Sequence, residues 1–264
     1  MNFTLMTIGG ISFIFLMTVL GSAVVFCFKK EISPTLNALF LGLASGIMLA
    51  ASVWSLILPA LTQAEKTWQN YAFIPVSVGL LLGAGFLFLL DKWIAHCKKG
   101  EANGVLGNAR RLFLAVTLHN IPEGLAVGFA FGAAWASGTP VAFISALGIA
   151  IGIGIQNFPE GMAISLPLHS NAKNKPRAFL YGTFSGAVEP VFAVLGLFLA
   201  SRLLLLQPWL LSAAAGAMIF VVVADLIPEM HSAPTKNTPN KDSVGSWSVL
   251  FGFILMMILD VALG

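Results

Sequence analysis

Eight long stretches of this chain run almost without charge, and no other feature restricts its fold as tightly. They cover roughly residues 3–28, 36–61, 71–95, 112–136, 141–168, 178–205, 209–231 and 245–263. A helix needs about 20 predominantly apolar residues to cross the hydrocarbon core of a bilayer, and every stretch reaches that length. Strands are a poor alternative, because the runs are continuous and an open sheet edge cannot sit in lipid. The 264 residues are 58% hydrophobic and 9% charged, against roughly 25% charged in soluble domains. The expected fold is an all-α integral membrane protein with eight transmembrane helices, a single unit over residues 1–264. The first run is too long for a signal-peptide core and has no basic region before it, so it reads as a retained span. Glycines four apart (Gly42 and Gly46, Gly79 and Gly83, Gly148 and Gly152, Gly182 and Gly186) favour close helix packing.

Basic residues orient the bundle. Lys29, Lys30, Lys92, Lys98, Lys99, Arg110, Arg111, Lys173, Lys175, Arg177, Lys236 and Lys241 fall on one side, leaving only Lys66 and Arg202 opposite. The positive-inside rule then places both termini outside the cytoplasm and requires an even number of spans. A net charge of +3, dispersed along the chain, gives no footprint for nucleic acid. Cys27 and Cys97 form no CxxC pattern and suggest no disulfide. No GxxxxGK[ST] loop is present, so ATP is not expected to drive the protein. The connections are short. The third, starting at His96, and the seventh, starting at His231, are polar linkers whose histidines either hold a metal transiently or are simply solvated.

Against this apolar background six acids lie in or near the ends of spans: Glu123, Glu160, Glu189, Asp225, Glu229 and Asp260. A charged side chain at mid-membrane costs on the order of 3 kcal/mol on insertion scales, and no lysine or arginine lies deep enough to pair with these. Protonation or a bound cation must balance them.

Spacing favours the cation. His119 and Glu123 are four apart in HNIPEG and share one helix face; Gln156 and Glu160 repeat the geometry in QNFPEG on the next helix. If the faces meet, an imidazole, two carboxylates and an amide oxygen converge, a four-ligand shell suited to zinc or a similar divalent ion. Pro122 and Pro159 each remove an amide beside these residues and are expected to kink the helices, freeing carbonyls. Gly124 and Gly161 are expected to let the two helices approach, and Asn120 and Asn157 occupy matching positions. A membrane His or Glu can also serve only to hydrogen-bond a neighbouring helix; the duplication of the whole motif argues against that here.

HNIPEGLAVG and QNFPEGMAIS, with SGIMLAASVWSLILPAL in helix two, GAVEPVFAVLG in helix six and GAMIFVVVADLIPEMH in helix seven, resemble the ZIP (Zrt-, Irt-like) family of divalent-metal transporters. The bacterial GufA-like branch, with Gln opening the fifth-helix motif, is the nearest in flavour. The resemblance implies a ZIP fold of three, two and three helices with an inverted repeat, in a bacterial inner membrane. It implies a first metal position held by His119, Glu123, Gln156 and Glu160. Asn120, Glu123, Asn157, Glu160 and Glu189 would surround a second, the glutamates at 123 and 160 bridging. Asn157 departs from relatives that carry aspartate there, which weakens the second position and leaves open a site for one metal. Gln156, a neutral donor, leaves room for cadmium, iron(II), manganese or cobalt beside zinc.

Other polar residues are less defined. The resemblance sets Asp225 near one mouth of the pathway, whereas Glu229 is either a pathway or a boundary residue. Asp260 either serves entry or faces solvent. Ser52 and Ser55 either line the path or bond within their own helix, the commoner behaviour. Met48, Met162 and Met218 read as packing. The implied activity is metal influx by an elevator-like shift of helices one, four, five and six against two, three, seven and eight, with no resident cofactor. The partners are divalent metal, the lipid bilayer and, from relatives, a second copy in a homodimer. A passive metal channel is the main alternative. An intramembrane metalloprotease would need an HExxH-like pair that HNIPEG lacks.

Overall fold

The computed structural model describes residues 2–27, 33–97, 105–172, 174–200, 204–231 and 241–263, and among them it is built of helices without strands. Helix α1 (Phe3–Ala23) closes in a short 3-10 turn at Val24–Phe26. Helix α2 is one rod in three parts: Pro34–Ala51, a π-helical stretch at Ser52–Ile57, and Leu58–Trp68. Then come α3 (Phe73–Cys97), α4 (Val105–Ser137) and α5 (Pro140–Ala172). Helix α6 has two segments, Lys175–Gly186 and Val188–Ala200. Helix α7 repeats the three-part design of α2, with Gln207–Val221, a π stretch at Val222–Leu226, and Ile227–His231. Helix α8 covers Lys241–Leu263.

Local chemistry explains the ends. The side chains of Asn2, Ser33 and Asn174 accept from the amides of Leu5, Leu36 and Arg177, capping α1, α2 and α6. Both π stretches end two residues before a proline, Pro59 or Pro228, where the missing amide already interrupts the regular ladder. The 178–205 span expected to be continuous is instead broken at Ala187. Pro190 cannot donate, and its ring clashes with the carbonyl four residues back, at Gly186. Helices α4 and α5, by contrast, remain helical through Pro122 and Pro159.

Seven helices among the described residues are long and apolar enough to cross a membrane. The remaining rod, α4, is 33 residues long, and many side chains of its first half lie outside the described set. Large apolar side chains such as Leu81, Phe86, Val191 and Phe198 point outward, an arrangement that lipid tolerates and water does not. The chain is a multi-pass membrane protein. Residues 98–104 and 232–240, most of the two polar connections, lie outside the described residues, as does the side chain of His96.

The main packing pairs are α2 with α8, α3 with α7, α1 with α5, and α4 with the second segment of α6. Exchanging helices one to three for six to eight, and four for five, turns α2–α8 into α7–α3 and α1–α5 into α6–α4. That is the pattern an inverted repeat requires. Small residues make each seam. Gly46 lies against the Val249 carbonyl, Gly83 against that of Ala213, and Gly21 against that of Phe158. Gly124 and Gly161 do not bring α4 and α5 together as expected. Gly124 packs on the Glu189 carbonyl of α6, and Gly161 on the Thr18 carbonyl of α1. Each motif glycine thus brings its helix against an outer neighbour, because it sits one residue beyond the glutamate and off the shared face.

Candidate metal site

Helix α4 contributes Asn120 and Glu123, α5 contributes Gln156, Asn157 and Glu160, and the α6 break leaves Glu189 in the first turn of the second segment. All six are buried; Glu160 is 4% exposed and the others 0%. No lysine or arginine side chain is buried among the described residues. The three carboxylates are near enough to act on one another, Glu123 with Glu160 and Glu189, and Glu189 with Glu160.

Two amides tie the group together. Gln156 Nε2 donates to Glu123 Oε1 at 2.6 Å, joining α5 to α4. Asn157 Nδ2 donates to Glu189 Oε2 at 2.5 Å and to the Ile14 carbonyl at 3.1 Å, joining α5 to α6 and α1. Asn120 Nδ2 donates to the Ser185 carbonyl at 2.9 Å. What remains without a partner is all of one kind: Asn120 Oδ1, Glu123 Oε2, Gln156 Oε1, Asn157 Oδ1 and both oxygens of Glu160. Buried polar atoms are normally satisfied. Six orphaned acceptors and no orphaned donor make a place for a positive charge.

Among the described residues no three His, Cys, Asp or Glu side chains close on one point as a ready-made cage. The donor set is mixed, amide oxygens beside carboxylates. His119 lies in α4 one turn before Glu123, and its side chain is outside the described residues.

The other candidates lie elsewhere. The Ser52 hydroxyl donates to the Met48 carbonyl at 2.7 Å, inside its own helix. Ser55 donates to Asp260 Oδ1 at 2.7 Å, linking the π stretch of α2 to α8, and Asp260 Oδ2 is buried without a partner. Asp225, in the π stretch of α7, and Glu229 are both exposed. His231 is exposed and its Nδ1 lies 2.8 Å from the Ile227 carbonyl. Met48, Met162 and Met218 are packed in apolar clusters. Sequence reasoning passed over Thr18, whose hydroxyl donates to Glu189 Oε1 at 3.0 Å. The only signal was a hydroxyl inside an apolar run, shared with many span residues that bond their own backbone.

A family model described as ZIP Zinc transporter matches residues 103–260. The chain is similar to Zinc transporter ZIP11 of Xenopus tropicalis, 36% identical over 94% of this chain and 94% of that protein. It is also similar to Zinc transporter GufA of Myxococcus xanthus, 32% identical over 89% of this chain and 90% of that one. Zinc transporter ZIPB of Bordetella bronchiseptica is 36% identical over 95% of this chain and 79% of its own.

Proposed function

The chain belongs to the ZIP zinc transporter family, whose activity is divalent-metal transport across a membrane, and on that premise we propose that this protein carries zinc into the cytoplasm through the buried site of α4, α5 and α6. Cadmium, iron(II), manganese and cobalt are the competing cargoes. A transporter family leaves no place for the enzyme reading.

One observation carries the proposal: six buried side-chain oxygens without donors, three of them from Glu123 and Glu160, with no basic side chain buried among the described residues. A divalent ion supplies the missing charge and satisfies those oxygens at once. Glu123 and Glu160 are the anionic ligands, and Asn120, Gln156 and Asn157 add neutral oxygens. His119, one helical turn from Glu123, is the nitrogen donor. Because carboxylates must shed protons to bind, loading releases protons and re-protonation assists release.

Alternating access fits the packing. Helices α1, α4, α5 and α6 form one mutually packed group and α2, α3, α7 and α8 another, joined where α2 meets α5 and α4 meets α7. The first group moves as a carriage along the second. Asp260, held by Ser55, serves cation entry at the outer mouth, and Asp225 and Glu229 line the inner one. Both termini lie outside the cytoplasm and the protein resides in a bacterial plasma membrane.

Uptake of a panel of divalent ions into proteoliposomes tests this. Wild type is expected to give slow, saturable zinc uptake, and the Glu123→Ala, Glu160→Ala double variant almost none. Equal uptake by the two proteins would remove the site's role, and flux that never saturates would favour a channel.

A further inference from the structure

Glu189 stands apart from the other two glutamates. Each of its oxygens already accepts a hydrogen bond from a neutral donor, Oε1 from Thr18 and Oε2 from Asn157. Glu160, in contrast, has neither oxygen engaged, and Glu123 has one free. The orientation of the Asn157 amide is fixed by chemistry. Its Nδ2 faces a carboxylate oxygen and the Ile14 carbonyl, and reversing the amide would set three acceptors against each other. The positive end of that amide therefore fills the ground beside Glu189 that a cation would need. The Thr18 hydroxyl has a second acceptor within reach, the Ile14 carbonyl at 3.3 Å, but lies nearer to Glu189.

We propose that the protein binds one metal ion at a time, and that the Thr18 hydroxyl and the amide nitrogen of Asn157 are positioning groups which hold Glu189 as a hydrogen-bonded strut between α1, α5 and α6 instead of a metal ligand, the Asn157 oxygen staying free for the ion. The inference rests on the metal site proposed above and refines it. The ion is held by Glu123, Glu160 and the amide oxygens beside them. Thr18 ties Glu189 to α1 and Asn157 ties it to α5, which fixes the α6 carboxyl group between the two helices. A buried carboxyl group that is neither loaded nor unloaded in the cycle needs such permanent partners, because nothing in the apolar surroundings replaces them.

The test counts bound ions. Purified full-length protein in detergent is titrated with cadmium or zinc by calorimetry and the bound metal is counted after dialysis. One ion per chain is expected for wild type. Glu189→Gln keeps an acceptor for Asn157 and should also bind one ion, with affinity lowered by about tenfold or less, the low end for a group outside the ligand set, whereas loss of a charged buried ligand costs about a hundredfold or more. Asn157→Asp replaces the donor with a second carboxylate facing Glu189 and should bind two ions. Thr18→Val should slow proteoliposome uptake by about tenfold or more while still binding one ion, and Thr18→Ser should stay within about twofold of wild type. Two ions in wild type, a hundredfold affinity loss in Glu189→Gln, or full uptake by Thr18→Val would each overturn the inference and leave the metal site standing. No saturable binding by wild type would overturn the site itself.

Discussion

Side chains that carry the chemistry are those whose hydrogen-bonding capacity is left over. Glu160 is the extreme case, with two buried and unpartnered oxygens. Replacing it by Gln keeps the shape and removes the charge, so it should lower cadmium affinity by about a hundredfold, a loss of the order seen when one partner of a buried charge pair is removed. Calorimetry on the detergent-purified variant checks this. Acid acts in the same direction. As external pH falls from about 7.5 to 5.5, protons compete with metal for the carboxylates, and the KM for uptake should rise while proteins stay folded. A KM that does not move with pH would remove proton competition from the mechanism. Gln156 has a separate duty, since its amide nitrogen is what holds Glu123 in place. Gln156→Ala should therefore impair uptake beyond the loss of one weak oxygen donor.

The helices themselves were largely legible in the sequence. Each long uncharged run falls on one of the described rods, seven of which are long and apolar enough to cross a membrane, and Glu123 and Glu160 of HNIPEG and QNFPEG are both buried. Three things were not legible. The π stretches in α2 and α7 add a widened turn without altering composition, so hydropathy cannot see them. The break at Ala187 was written in Gly-Ala-Val-Glu-Pro, but prolines at 122 and 159 sit in unbroken helices, and local sequence does not separate the two outcomes. The partners of Gly124 and Gly161 depend on which helix lies behind each, a fact fixed only by the tertiary fold. Helix seams give a paired test. A Cβ on Gly83 would collide with the Ala213 carbonyl of α7, whereas one on Gly85 meets nothing within 4 Å. Gly83→Ala should destabilise by about 1–3 kcal/mol through overpacking. Gly85→Ala should be neutral or stabilising by up to about 1 kcal/mol. Thermal unfolding of the two purified variants separates them, and equal midpoints would disprove the α3–α7 seam.

At the scale of the molecule, the exposed tryptophan and tyrosine side chains lie toward the ends of the rods. Trp68, Tyr71 and Trp135 are exposed toward one face, and Trp93, Tyr181 and Trp247 toward the other, as expected for side chains seated at the two bilayer interfaces. The proposed orientation, with both termini outside, would put the exposed Cys27 at the end of α1 on the cytoplasmic side. In a Cys97→Ser background, a membrane-impermeant maleimide added to intact cells should leave Cys27 unlabelled, and permeabilisation should expose it. Labelling without permeabilisation would invert the topology. The two segments of α6 also answer to different masters. Gly182 and Gly186 of the first abut Ser22 and Thr18 of α1, whereas Ala193 and Ala200 of the second meet Gly128 and Gly132 of α4. Any small adjustment between α1 and α4 within the group that moves together therefore converges as torsion on Ala187, two residues before Glu189. Restoring a stiff shaft there, by Pro190→Ala, would couple the two ends rigidly and slow turnover without touching an ion-binding atom.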